Sequence, residues 1–125
     1  MLKKFLLAFM MSMISAASFG VHESILIPGY ETIHFKAGEI TQDVIFRNPQ
    51  ENNCRFRMSI YLSDGSEVWK ADDFLEPGEA FVSIDLERVL ERGTYCNAVM
   101  KYECYSLDGG AKLNGAEIRV TLEVR

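Results

Sequence analysis

"CRFRMSIYLSDGSEVWK", residues 54–70, decides the fold. Cys54, Phe56, Met58, Ile60 and Leu62 fall at every second position, against Arg55, Arg57, Ser59 and Tyr61 between them. Successive side chains of an extended chain point to opposite faces, so this period of two describes a half-buried strand. The run stops at Asp64-Gly65, a pair that accepts the positive φ of a tight hairpin turn. Glu67 to Lys70 then returns as a short strand carrying Trp69.

The same period extends both ways from that hairpin. Upstream, Ile33 and Phe35 alternate with Thr32, His34 and Lys36, and Ile40, Val44 and Phe46 alternate with Thr41, Asp43 and Arg47. Downstream of the turn at Glu76-Pro77-Gly78, Ala80, Val82, Ile84 and Leu86 face one way and Phe81, Ser83 and Asp85 the other. Residues 87–92 are helical in composition, but Gly93 cuts them to a single expected turn of helix. Strands follow over residues 94–105 and 116–124, separated by the turn formers Asp108-Gly109-Gly110 and Asn114-Gly115. About seven strands with no sustained helical period describe an all-β chain: a single antiparallel Ig-like β-sandwich.

Ahead of this domain, Lys3 and Lys4 precede an apolar run from Phe5 to Ile14 and then small residues. That order is the pattern of a secretory signal peptide over residues 1–20, with cleavage after Ala17 or Gly20. The run is shorter than the roughly 20 apolar residues a spanning helix needs, so the expected membrane contact is through the uncleaved leader alone. Residues 21–125 then form the sandwich, secreted or held at the cell surface. The formal net charge is −5, and the leader carries only basic side chains, so the domain itself is more acidic still. Nucleic-acid binding calls for a basic face, and none is expected.

Several motifs resemble those of a group of small exported Ig-like proteins of Firmicutes: IPGYET, NPQENNC, DGSEVW, EPGEA, GTYCNAVMKYECYSLD and LNGAEIRVTLEV, in that order. The resemblance implies a secreted or surface β-sandwich and no established activity. Cys96 departs from it.

Three cysteines in an exported chain suggest one pair and one remainder. If the strands beginning at Cys54 and ending at Tyr105 are antiparallel neighbours, a register placing Cys54 opposite Cys104 keeps every inward residue inward and sets Arg55 opposite Glu103. Cys54 and Cys104 are therefore the candidate disulfide, and Cys96 is expected as a buried packing residue. Tyr102 is expected as a core aromatic.

Few chemistries fit. His22 and His34 are isolated, and a metal site needs several convergent ligands. Asp72, Asp73, Glu76 and Glu79 lack the spacing of a calcium loop. No cofactor and no catalytic residue is expected, since no histidine stands near a serine or cysteine to make a nucleophile and base pair. The expected contacts are loops at one end of the sandwich: Asn48, Gln50, Asn52 and Asn53 in one, and Asp108, Lys112 and Asn114 in the other. Ile45 and Phe81, on nominally outward positions, are further candidate contacts. The sequence thus suggests a non-enzymatic module binding a protein or glycan. A structural subunit assembling through an edge strand is the alternative, with a small hydrolase or metal-dependent enzyme behind both.

Overall fold

The computed structural model describes residues 25–125 throughout and, ahead of them, only the backbone of two short strands. The remainder of the expected leader lies outside the described residues, as do Ala17, Gly20 and His22. The strands are β1 (Lys3–Leu6), β2 (Met13–Ser15), β3 (Leu26–Pro28), β4 (Thr32–Phe35), β5 (Thr41–Arg47), β6 (Cys54–Tyr61), β7 (Glu67–Lys70), β8 (Glu79–Asp85), β9 (Gly93–Ser106) and β10 (Lys112–Val124). All seven strands read from the alternation are present, as β4 to β10. The expected turn of helix over residues 87–92 is not. Leu90 is buried there, and its carbonyl accepts the Gly38 N–H at 3.0 Å, which holds the link extended against the β4–β5 turn.

Two principal sheets face each other. One has the order β4-β10-β9-β6-β7, antiparallel except that β4 runs parallel to β10; the other has the order β1-β8-β5. A two-stranded pair, β2-β3, forms a ladder of its own. The inward positions of β6 supply Phe56, Met58 and Ile60; β9 supplies Ala98, Met100, Tyr102 and Cys104; β10 supplies Val120, Leu122 and Val124. Trp69 on β7 is fully buried, its ring 5.6 Å from that of Phe46 and 5.6 Å from that of Phe81. Burying side chains of this size contributes roughly 1.5–3 kcal/mol each. Tyr102 is a core aromatic as expected, with its hydroxyl donating to the Pro28 carbonyl at 3.2 Å.

The Asp64-Gly65 hairpin forms as read: Gly65 has φ 87°, and the Asp64 carboxylate accepts the Ser66 N–H and hydroxyl at 2.9 and 2.6 Å. Register and face differ from expectation at four places. Cys54 stands opposite Ser106 and Phe56 opposite Cys104, displaced by two residues from the expected pairing. Such a slide preserves every face, so alternation cannot detect it. The β9–β10 hairpin leaves room for it: Ser106 donates its N–H to the Ala111 carbonyl at 2.8 Å, so β9 continues past Cys104 and offers Ser106 as a partner for Cys54. Arg57, not Arg55, is therefore opposite Glu103, and Arg55 reaches Glu76 at 3.2 Å instead.

The other three differences are irregularities that change strand parity. A register shift between Asp43 and Phe46 turns Phe81 fully inward, so Phe81 is core and not a surface contact, whereas Ile45 remains exposed. A shift between Val120 and Leu122 sets Ala98 opposite Val120 but Tyr95 opposite Leu122, with Asn97 at φ 58°. Cys96 is thereby pushed out and exposed, contrary to its expected burial. Asn114-Gly115 forms no turn. It is the bulge between Leu113 and Ala116, at a point where a Cβ on Gly115 would lie 2.2 Å from the Tyr102 carbonyl oxygen. Only glycine allows so close an approach of two strands.

Candidate functional site

The loop at residues 48–53 and the hairpin tip at 107–111 lie at one end of the domain, because Cys54 pairs with Ser106. Half of the expected contact residues in the first loop are nevertheless inside it. Asn48 is buried, donates its amide to the Cys54 and Leu75 carbonyls at 2.9 Å each, and accepts the Asn52 amide at 2.8 Å. Asn52, also buried, closes a two-way bond with Leu26: its Oδ1 accepts the Leu26 N–H at 2.7 Å and its Nδ2 donates to the Leu26 carbonyl at 2.9 Å. These two asparagines latch β3 and the residue 75 region to the start of β6. They are structural, as amides able to both donate and accept commonly are in turns. Gln50 and Asn53 are exposed, as are Asp108, Lys112 and Asn114 on the hairpin.

The more concave surface is the outer face of the five-stranded sheet. Register brings Tyr61 opposite Val99, Val99 opposite Arg119, and Lys101 opposite both Ser59 and Glu117. Tyr61, Val99, Lys101, Glu117 and Arg119, together with Asn97 and Gly65 of the β6–β7 turn, line a groove of about 620 Å³. The bulge at Asn97 that expelled Cys96 also shapes its wall. Toward the loop end, the guanidinium groups of Arg55 and Arg57 lie 5.6 and 5.5 Å from the Phe74 ring centroid, and Phe74 meets Tyr105 edge-on at 5.2 Å. Glu103 gathers Lys112 at 3.5 Å and Lys101 at 4.0 Å. Exposed cation–π contacts of this kind are worth about 0.5–1 kcal/mol each.

This face offers a phenol, aliphatic surface, an amide and charges of both signs, which suits recognition through stacking, hydrogen bonds and ion pairing. Alternation along one strand marks each of these residues as outward, but only the register between strands assembles them, and the Asn97 bulge has no signature in the pattern.

Elsewhere the titratable groups serve local structure. Asp73 accepts the Phe74 N–H at 2.9 Å, and Glu79 accepts the Glu76 N–H at 2.9 Å, so the acidic segment builds its own turn. His34 is exposed on β4. Among the described residues no group of three or more His, Cys, Asp or Glu is placed to hold a metal ion. None of the three cysteines forms a disulfide. Cys54 and Cys104 are diagonal neighbours on the inward face, a relation that separates Cα atoms by about 7–8 Å, beyond usual disulfide reach. The candidate disulfide is thus replaced by a thiol contact. Its hydrogen bond with Cys54, then burial, pushes the Cys104 thiol far above the ordinary thiol range.

No family model, curated protein or solved structure matches the chain.

Proposed function

We propose that the chain is an exported, non-enzymatic Ig-like module that binds a protein or glycan at or beyond the cell surface, with the outer face of its five-stranded sheet as the contact surface. The observation that carries this is the uncovered groove in which Tyr61, Val99, Lys101, Glu117 and Arg119 converge. Two further features support the frame of the proposal. The strand order β4-β10-β9-β6-β7, with β5 and β8 in the facing sheet, is compatible with an Ig-like reading. The basic and apolar start of the chain has the pattern of an export signal.

The test is capture from cell-envelope and host extracts, alongside a glycan array. It compares wild type with a Tyr61→Ser/Arg119→Glu double variant and with a chain whose hairpin residues 108–114 are replaced. Loss of capture only in the double variant supports the sheet face. Loss only in the hairpin variant moves the site to the loop end, and equal capture by all three refutes both. A second reading, a subunit of an extracellular polymer, is favoured by the open edge of β5, at which Ile45 is 54% exposed. It requires concentration-dependent oligomers in light scattering.

A further inference from the structure

Two strand edges meet across an open cleft. β4 is the last strand of one sheet and β5 the last of the other. Thr32 and His34 on one wall, Asp43 and Ile45 on the other, and the rings of Tyr30 and Phe46 line a cleft of about 350 Å³ between them.

Hydrogen bonding fixes which backbone groups face it. The Glu31 and Phe35 carbonyls accept from Thr121 and Arg125 of the β10 side, so Thr32 and His34 turn their N–H and C=O away from β10. Leu86 donates to the Ile40 carbonyl, and Gln42 pairs with Ile84, so Thr41 and Asp43 turn theirs away from β8. The protein caps the ends of this double row. At one end the Lys36 N–H and C=O are bonded by the Gln42 amide at 2.7 and 2.9 Å. At the other the Arg47 N–H donates to the Tyr30 hydroxyl at 3.1 Å. Between those caps the outward backbone groups of Thr32, His34, Thr41 and Asp43 have no partner among the described residues.

We propose that this cleft is a strand-acceptor site, which takes an extended polypeptide segment of a partner protein by adding it antiparallel to β5. Outward groups on β5 repeat every second residue, at roughly 6.8 Å, a spacing that the backbone of another strand matches and a sugar ring does not. The aromatic rings of Tyr30 and Phe46 give the incoming strand an apolar floor for alternate side chains. A second copy would bring another formal charge of −5 to the contact, so a neutral or basic segment of another protein is the better occupant. The site lies apart from the sheet-face groove and stands without it.

The probe is a seven-residue peptide alternating valine and threonine with a lysine at each end, tested at millimolar concentration on the whole chain by amide exchange. In the free protein the Thr41 and Asp43 amides exchange quickly, and the peptide slows them several-fold. The same peptide with alternate amides N-methylated leaves them unchanged. Asp43→Pro removes an N–H that the β8 ladder does not use, as an edge position allows, and abolishes the protection with Trp69 fluorescence intact. Asp43→Asn and Arg119→Glu both keep it. Slow exchange at Thr41 and Asp43 before peptide is added, no protection by it, or protection equal in Asp43→Pro would each overturn the proposal. So would self-association that Asp43→Pro abolishes, which would make a second copy the occupant.

Discussion

Asn48 shows how a residue type that reads as a contact can be consumed by the fold. Its amide is buried and satisfies two carbonyls from separate segments, Cys54 and Leu75, while holding Asn52. Removing it takes this donor from the buried Cys54 carbonyl, at a cost of about 1–3 kcal/mol, and one bond each from Asn52 and from the Leu75 carbonyl, which keeps the Phe56 N–H at 3.0 Å. Asn48→Ala should therefore lower the unfolding free energy by about 2–4 kcal/mol in urea titrations. Gln50→Ala, one exposed position along the same loop, should change it by less than about 0.5 kcal/mol. Equal effects would show that Asn48 is not the latch described. Gly115 makes the same point in the backbone. A methyl there meets the Tyr102 carbonyl oxygen, which belongs to the neighbouring strand and cannot swing aside. Gly115→Ala should cost about 1–3 kcal/mol, measured the same way, whereas Gly109→Ala has open space around it and suffers only its φ of 74°. At this scale the sequence supplied residue types but not their partners: Asn48 and Asn52 look like any polar loop until β3 is placed beside them.

Strand identity was legible for β4 to β10, and strand face wherever no bulge intervenes, because a two-residue period needs no tertiary knowledge. What escaped was anything that preserves or breaks parity without leaving a mark in composition. The two-residue slide between β6 and β9 preserves it, and the bulges near Val44, Asn97 and Gly115 break it. The slide decides the chemistry of the cysteines. With Cys54 and Cys104 diagonal and buried, and Cys96 on the surface, maleimide at neutral pH should label the native protein at Cys96 alone and all three thiols after unfolding. Labelling of native Cys104 as fast as Cys96, or a Cys54–Cys104 bridge in non-reducing peptide maps, would restore the register first expected. The same burial sets a pH dependence. The Cys104 thiol is held up by its bond to Cys54 and by burial, and the Tyr102 and Tyr30 hydroxyls are raised by burial first of all. In the unfolded chain these groups ionise near pH 8.5 for the thiol and about 10 for the phenols, while the fold keeps them protonated. Each thus contributes stability that is complete below its unfolded value and is lost as pH rises above it. Unfolding free energy should be level with respect to these three groups up to about pH 8, then fall by up to about 1.4 kcal/mol per pH unit for each group engaged. Cys104→Ala should remove the earliest part of that decline, visible as a flatter curve between about pH 8.5 and 10.

Taken as a whole the sandwich is uneven. Five strands form one sheet, whereas the other joins β5 and β8 to β1, whose residues Lys3–Leu6 pair with β8 from Glu79 to Ser83. Among the described residues, the core draws on side chains from Ile27 to Val124. If export removes that leader, as proposed, the domain should lose a strand pairing while it keeps the core side chains from Ile27 to Val124. Two opposing effects then decide the outcome: the backbone bonds to β1 contribute about 0.5–1.5 kcal/mol apiece at most, while the core holds Trp69, Phe81 and Ile84 fully buried between the sheets. Core burial is the larger, so a chain of residues 21–125 should fold and unfold in a single cooperative transition, with Trp69 fluorescence and far-ultraviolet circular dichroism coinciding in urea. The change should be confined to the edge. Amides of β8 that do not bond to β5 should exchange faster in the shortened chain than in residues 1–125, while those of β9 and β10 at the centre of the larger sheet stay equally protected. A shortened chain that fails to fold, or whose β9 amides lose protection together with those of β8, would show that the leader strand belongs to the domain and would count against its removal on export.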